Sequence, residues 1–230
     1  MKRLTAIAAT VLATLGGPVL ADSPVVVELY TSQGCSSCPP ADKILGQLAE
    51  KDNVIALALH VDYWDYIGWK DEFADPAHTK RQRAYARAAG ERTIYTPQMV
   101  IGGQTHVVGS RAMKVSEAVN KHARVDLPVE VKLKRSGNKL IVNATAESRI
   151  KGAVIHVVTY QDDERVKITR GENAGRTLTY HNIVQDWVTV GKWNGQGDYS
   201  TSVSVPKNVP VAVLFQAPNA GPILGASRLN

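Results

Sequence analysis

The chain has 230 residues and a formal net charge of +6, from 27 Lys and Arg against 21 Asp and Glu. With 44% hydrophobic residues it falls outside the disordered class, and no basic run interleaved with aromatics offers a track for a phosphate backbone, so no nucleic-acid partner is expected. Its two cysteines are too few for the framework of a small disulfide-stapled fold.

Lys2 and Arg3, the apolar stretch Leu4 to Leu15 and the small-residue site Val19-Leu20-Ala21 make the pattern of an export signal cleaved near Ala21. The stretch falls short of the roughly 20 apolar residues that a spanning helix needs. The mature chain is therefore expected to be periplasmic or secreted, with no stable membrane insertion, in an oxidising compartment. Without Lys2 and Arg3 it keeps 25 basic residues against 21 acidic ones.

Val25 to Tyr30 is an apolar, β-branched run of strand length, and Thr31 to Gly34 is a loop leading to Cys35. A helix should follow Cys38. Pro39 and Pro40 suit a first helical turn, and Ile44, Leu45, Leu48 and Ala49 recur on one face before Asp52-Asn53 breaks the pattern. Val54 to Val61 reads as a buried strand, Thr79 to Ala89 as a helix closed by Gly90, Gln98 to Ile101 and Thr105 to Val108 as two strands turning at Gly102-Gly103, and Ser116 to Arg124 as a helix. The texture then changes near Val125 to Pro128. Val129/Val131/Leu133, Leu140/Val142/Ala144, Ile155/Val157/Thr159, Val203/Val205 and Val211/Val213/Phe215 alternate at period two, with turns such as Ser136-Gly137-Asn138 between. The glycine-punctuated segment Arg170 to Arg176 suits a long turn better than a recognition loop. The expected organisation is a signal at 1–21, an α/β domain at 22–126 and an antiparallel, sandwich-like all-β domain at 127–230.

A C-x-x-C bridge closes almost no loop, so chain entropy is a weak reason to keep both thiols and chemistry is a better one. A thiol over a helix N-terminus is shifted toward thiolate by the helix dipole and unpaired N–H groups. That assigns attack to Cys35 and resolution to Cys38, which displaces the partner from a mixed disulfide. An inert bridge or half of a metal site are the alternatives. Zinc wants a second pair of ligands, and no further cysteine exists. Neither a resident metal nor a cofactor is expected, although His60 and Asp62 could join the cysteines around copper or zinc.

Gly34-Cys35-Ser36-Ser37-Cys38-Pro39 after a strand, followed far downstream by Thr96-Pro97-Gln98-Met99-Val100-Ile101-Gly102-Gly103, resembles the thioredoxin superfamily, and Thr-Pro-Gln with Gly-Gly resembles glutaredoxins most. The whole chain, through Arg170 to Leu178, also resembles an uncharacterised family of secreted bacterial proteins, domain of unknown function 1223. The superfamily resemblance covers about residues 25–124 and implies a three-layer thioredoxin-like domain. It makes Pro97 a cis proline beside the cysteines, and it makes the Thr96 backbone the partner of an extended substrate. It also suggests that Glu28, one residue further from the cysteines than the buried acid of thioredoxins, takes the proton of the resolving thiol, its pKa raised by burial. Asp62 and Trp64, at the end of the second strand, would rim the thiol site. The resulting expectation is a thiol-disulfide oxidoreductase acting on exported proteins or redox partners; a copper-binding or chaperone-like module, and a binding protein with an inert disulfide, are the rivals.

Overall fold

The computed structural model describes residues 23–230, so the export-signal reading of residues 1–21 lies outside the described residues. The first half runs β1 (Val25–Thr31), α1 (Pro39–Ala49), β2 (Val54–His60), a single 3-10 turn (Asp65–Ile67), α2 (Pro76–Ala88), β3 (Gln98–Ile101), β4 (Thr105–Val108) and α3 (Ala112–His122). α2 starts earlier than its apolar pattern, because the Asp75 carboxylate caps it by accepting from Ala77 N–H at 2.7 Å and Pro76 fits the first helical position. The second half is all strand: β5 (Val129–Ser136), β6 (Lys139–Ala146), β7 (Ala153–Lys167), β8 (Thr177–Trp193), β9 (Tyr199–Ser204), β10 (Val211–Gln216) and β11 (Ile223–Leu229).

The fold is mixed α/β, with one large mixed sheet and a second, small antiparallel sheet. The large sheet has the order β11-β10-β7-β8-β2-β1-β3-β4, and the small one β5-β6-β9. β1 and β2 are parallel, β1 and β3 antiparallel, and β8 lies parallel to β2 with Ala58 opposite Ile183. Strands from both sides of the expected boundary at 126/127 therefore share one sheet. The small sheet β5-β6-β9 covers β7 and β10 around Leu140, Val142, Ile155, Val213 and Phe215, and β7 and β10 are continuous with the sheet of the first half.

Period two decides which face each residue of β1 serves. Val25, Val27 and Leu29 pack beneath α1 and α3 with Leu45, Met99 and Val119. Val26 and Tyr30 face the opposite core with Leu57, Tyr85, Val158 and Leu214. That second core is enclosed because the sheet curls: Ile223 N–H, at the start of β11, donates to the Gly102 carbonyl just beyond β3 at 2.9 Å. β5 lies against β11, where a Cβ on Gly225 would collide with the Val129 carbonyl oxygen.

Glu28 lies in this enclosed core, fully buried. Arg81 of α2 reaches it through Nε at 2.7 Å and Nη2 at 2.8 Å, and Tyr85 and Tyr30 add hydroxyl donors at 2.6 and 3.1 Å. Arg81 also donates to Gln216 of β10 at 3.1 Å and stacks 3.8 Å over the Trp187 ring of β8, tying the two halves together. Burial opposes ionisation of Glu28, but the guanidinium and its hydroxyl partners outweigh it and hold the carboxyl below its ordinary range. A lowered folded pKa contributes stability that is full above the ordinary value of 4.5 and is lost as the pH falls through the folded value. Arg81→Leu leaves this carboxylate unpaired in the core and is expected to cost about 3–5 kcal/mol in urea unfolding at pH 7. A loss under about 1 kcal/mol would show that the pair does not hold the halves together.

Candidate active site

The C-x-x-C motif sits where β1 hands over to α1. Cys35 and Cys38 are joined by a disulfide with sulfurs 2.09 Å apart. α1 begins at Pro39, so Cys38 is its N-cap and Cys35 lies in the turn before it. Pro39 and Pro40 contribute no N–H, and the N–H groups of Ala41 and Asp42 are taken by the Cys38 carbonyl at 2.8 and 3.1 Å. The helix therefore acts on the sulfurs through its dipole and not through the free N–H donors expected from the sequence. Ser36 and Ser37 are exposed, whereas Cys35 and Cys38 are 1% and 0% exposed.

Trp64 spans from the motif to the proline loop. A side chain on Gly34 would come within 3.2 Å of the Trp64 Cβ, and the indole N–H donates to Thr96 Oγ1 at 2.7 Å. The Thr96–Pro97 peptide is cis, and the Pro97 carbonyl accepts from Gly109 N–H at 2.9 Å. Gln82 of α2 holds the approach to that loop, donating to the Tyr95 carbonyl at 2.7 Å and to Gln98 at 2.8 Å. Asp62 turns to α2 and accepts from the Thr79 hydroxyl at 2.5 Å.

The expectation for Glu28 is corrected. One residue along a strand reverses the face, and Glu28 points away from α1 into the core shared with Arg81. It is held ionised by that pair, not raised by burial. The acid on the cysteine side is Asp42, which the sequence reading passed over. It stands four residues after Cys38 on the same helix face, buried, with Thr31 Oγ1 donating to it at 2.8 Å. Burial, partly offset by His60 and the Thr31 hydroxyl, pushes its carboxyl up to about 7. A lone acid among Ala41, Leu45 and Leu48 was the sequence signal for it.

A second set of polar groups supports the loop from below. Asp71 pairs with His60 at 2.7 Å, both fully buried, and the same carboxylate oxygen accepts from Gln33 N–H at 2.8 Å. Trp69 donates to Gln33 Oε1 at 2.7 Å. His60 Nδ1 is taken by Asp71, and Asp62 accepts from Thr79. Among the described residues, no group of three or more His, Cys, Asp and Glu is placed to hold a metal ion.

From the far half, Asn173 Nδ2 donates to the carbonyls of Gln33 at 2.9 Å and Cys35 at 3.0 Å, and Glu172 Oε2 accepts from Ser36 N–H at 3.3 Å. The 170–176 segment is the turn expected between strands, and it also lies against the cysteine loop. No local pattern announces that contact, because its two sides are 138 residues apart.

A family model described as "Protein of unknown function (DUF1223)" matches residues 26–216. No curated protein matches the chain. Among solved structures, the crystal structure of a structural-genomics target from Agrobacterium tumefaciens is 34% identical, with a TM-score of 0.76 over 89% of this chain and 93% of that one. HBP35 of Porphyromonas gingivalis is 15% identical, with a TM-score of 0.62 over 90% of this chain and 75% of that one, a likeness of fold.

Asp42 also makes a thermodynamic prediction. With its folded pKa raised from 3.8 to about 7, the native chain keeps a proton that the unfolded chain loses, so stability falls as the pH rises across that window. Asp42→Asn, which keeps an acceptor for Thr31, is expected to flatten that slope and stabilise the protein at pH 8 by about 1–3 kcal/mol. Denaturation midpoints from pH 4 to 8 measure it; an unchanged slope would show that Asp42 titrates normally.

Proposed function

The chain belongs to the DUF1223 family, and from its cysteine site we infer that it is a thioredoxin-like thiol-disulfide oxidoreductase acting on exported proteins or redox partners. The observation that carries this reading is the Cys35–Cys38 disulfide at the start of α1, with an acid of pKa about 7 one turn below Cys38. Supporting it are the β1-α1-β2 unit followed by a hairpin and helix, and the cis Thr96–Pro97 peptide tied through Trp64 to Gly34. An export signal at residues 1–21 supplies the compartment, and no described helix is long and apolar enough to cross a membrane.

In the reductive direction the Cys35 thiolate attacks one sulfur of a client disulfide. The client S–S bond breaks, a Cys35–client disulfide forms, and the other client sulfur leaves as a thiolate. Cys38, its proton passed to Asp42, then attacks the Cys35 sulfur. The Cys35–Cys38 bond forms and the second client sulfur leaves as a thiolate, so the client gains two electrons and the pair loses them. A base with a pKa near 7 is suited to that proton transfer at neutral pH. The same steps in reverse oxidise a client dithiol. Thr96 and the Trp64 indole offer the edge and wall along which an extended client segment lies.

The test is trapping. Cys38→Ser is expected to accumulate a disulfide between Cys35 and its client, visible on non-reducing gels and identifiable by mass spectrometry, while Cys35→Ser accumulates none. Equal activity in both variants would overturn the assignment.

A further inference from the structure

The turn between β7 and β8 is more elaborate than a strand connection requires. It closes on itself through Ile168 N–H to Arg176 O and Gly175 N–H to Ile168 O, both 2.9 Å, and Ile168 anchors it in a small core with Tyr180 and Ile183. Those bonds already make a stable turn. Asn173 nevertheless buries its amide, at 1% exposure, against the cysteine loop and not against its own strand ends. Its two Nδ2 bonds hold the Gln33 and Cys35 carbonyls, and its Oδ1 accepts from Arg176 Nη1 at 2.8 Å, which fixes the amide's orientation. Glu172 reaches one residue further, to Ser36 N–H. Gly171 and Gly175 flank the contact with φ of +74° and +83°, the left-handed conformation in which glycine is unstrained. Between them the segment crosses the motif like a strap.

Among the described residues, the hydrogen bonds between this segment and the 33–36 loop are those of Asn173 and Glu172, and the turn's own bonds through Ile168 do not depend on them. Cys35, 1% exposed, is the motif residue whose own carbonyl Asn173 holds. A sulfur under attack must lie in line with an incoming sulfur and the leaving sulfur, and a client protein brings backbone on both sides of its own cysteine. A small disulfide brings almost nothing besides its sulfurs.

Resting on the thiol-exchange reading above, we propose that Glu172 and Asn173 are specificity-determining residues that close over Cys35 and admit low-molecular-weight thiols and disulfides in preference to protein disulfides. Protein clients react through the strap-released form. The strap lets the C-terminal strands select what the N-terminal cysteines meet.

The reduced full-length protein is mixed with oxidised glutathione in one series and with insulin in another, and the rate of Cys35 oxidation is followed in each. Asn173→Ala is expected to raise the insulin rate at least about tenfold, as removal of two or three restraining hydrogen bonds allows, and to change the glutathione rate less than about threefold. Asn173→Asp keeps the volume but turns a carboxylate onto two carbonyl oxygens, and is expected to shift the insulin-to-glutathione ratio the same way. Both variants reacting with both probes at an unchanged ratio would overturn the strap and leave the thiol chemistry standing. A wild-type protein inert to both probes would overturn the thiol-exchange reading itself.

Discussion

The parallel ladder between β2 and β8, in register at Ala58 and Ile183 and reinforced by Asn182 Nδ2 on the Ala56 carbonyl at 2.9 Å, places the second half of the chain on the first. Parallel neighbours demand a long connection, and here it is everything from the end of β2 to the start of β8. Once β8 lies beside β2, its long hairpin with β7 fixes the direction of the turn between them, which falls over the end of β1 and the cysteine loop. The same placement sets Trp187 under Arg81 and, through β7 and β10, Gln216 beside Tyr85. The site and the enclosed core are thus two consequences of one strand pairing.

Two buried carboxyls meet opposite fates a short distance apart in sequence. Glu28 has a guanidinium with two well-aligned donors, and such a pair overcomes the desolvation that burial imposes. Asp42 has a hydroxyl and more distant charge, which do not, so its proton is retained to about neutral pH. The first carboxyl is fixed in one state and serves the fold. The second changes state near neutral pH, and it is the one on the face of Cys38. The parity of β1 sorts them: Thr31 faces α1 and its acid, and Glu28 faces away.

Much of the first half was legible because its signals are local. The apolar runs, the prolines after Cys38, Gly90 after α2 and the Gly102-Gly103 turn are all read within a few residues. β8 was not legible as a strand: Asn182 at φ +49° and two register shifts against β7 interrupt its alternation, and exposed residues such as Val188 blur its faces. β11 was missed as well, since Gly225, which the sequence offers as a weak strand residue, is there to let β5 approach. The cysteines were found by spacing. Glu28 was misassigned because nearness in sequence to a motif does not fix the face of a strand, and Asn173 was unreadable because its partners lie in the other half.

The most direct measurement is the equilibrium of the Cys35–Cys38 pair against glutathione buffers of graded ratio, followed by thiol alkylation. Reversible exchange is expected, with a midpoint between about −120 mV, as for strong oxidants, and about −270 mV, as for reductases. A pair that does not exchange, or one that stays oxidised below about −300 mV, would contradict it and make the disulfide a structural bridge.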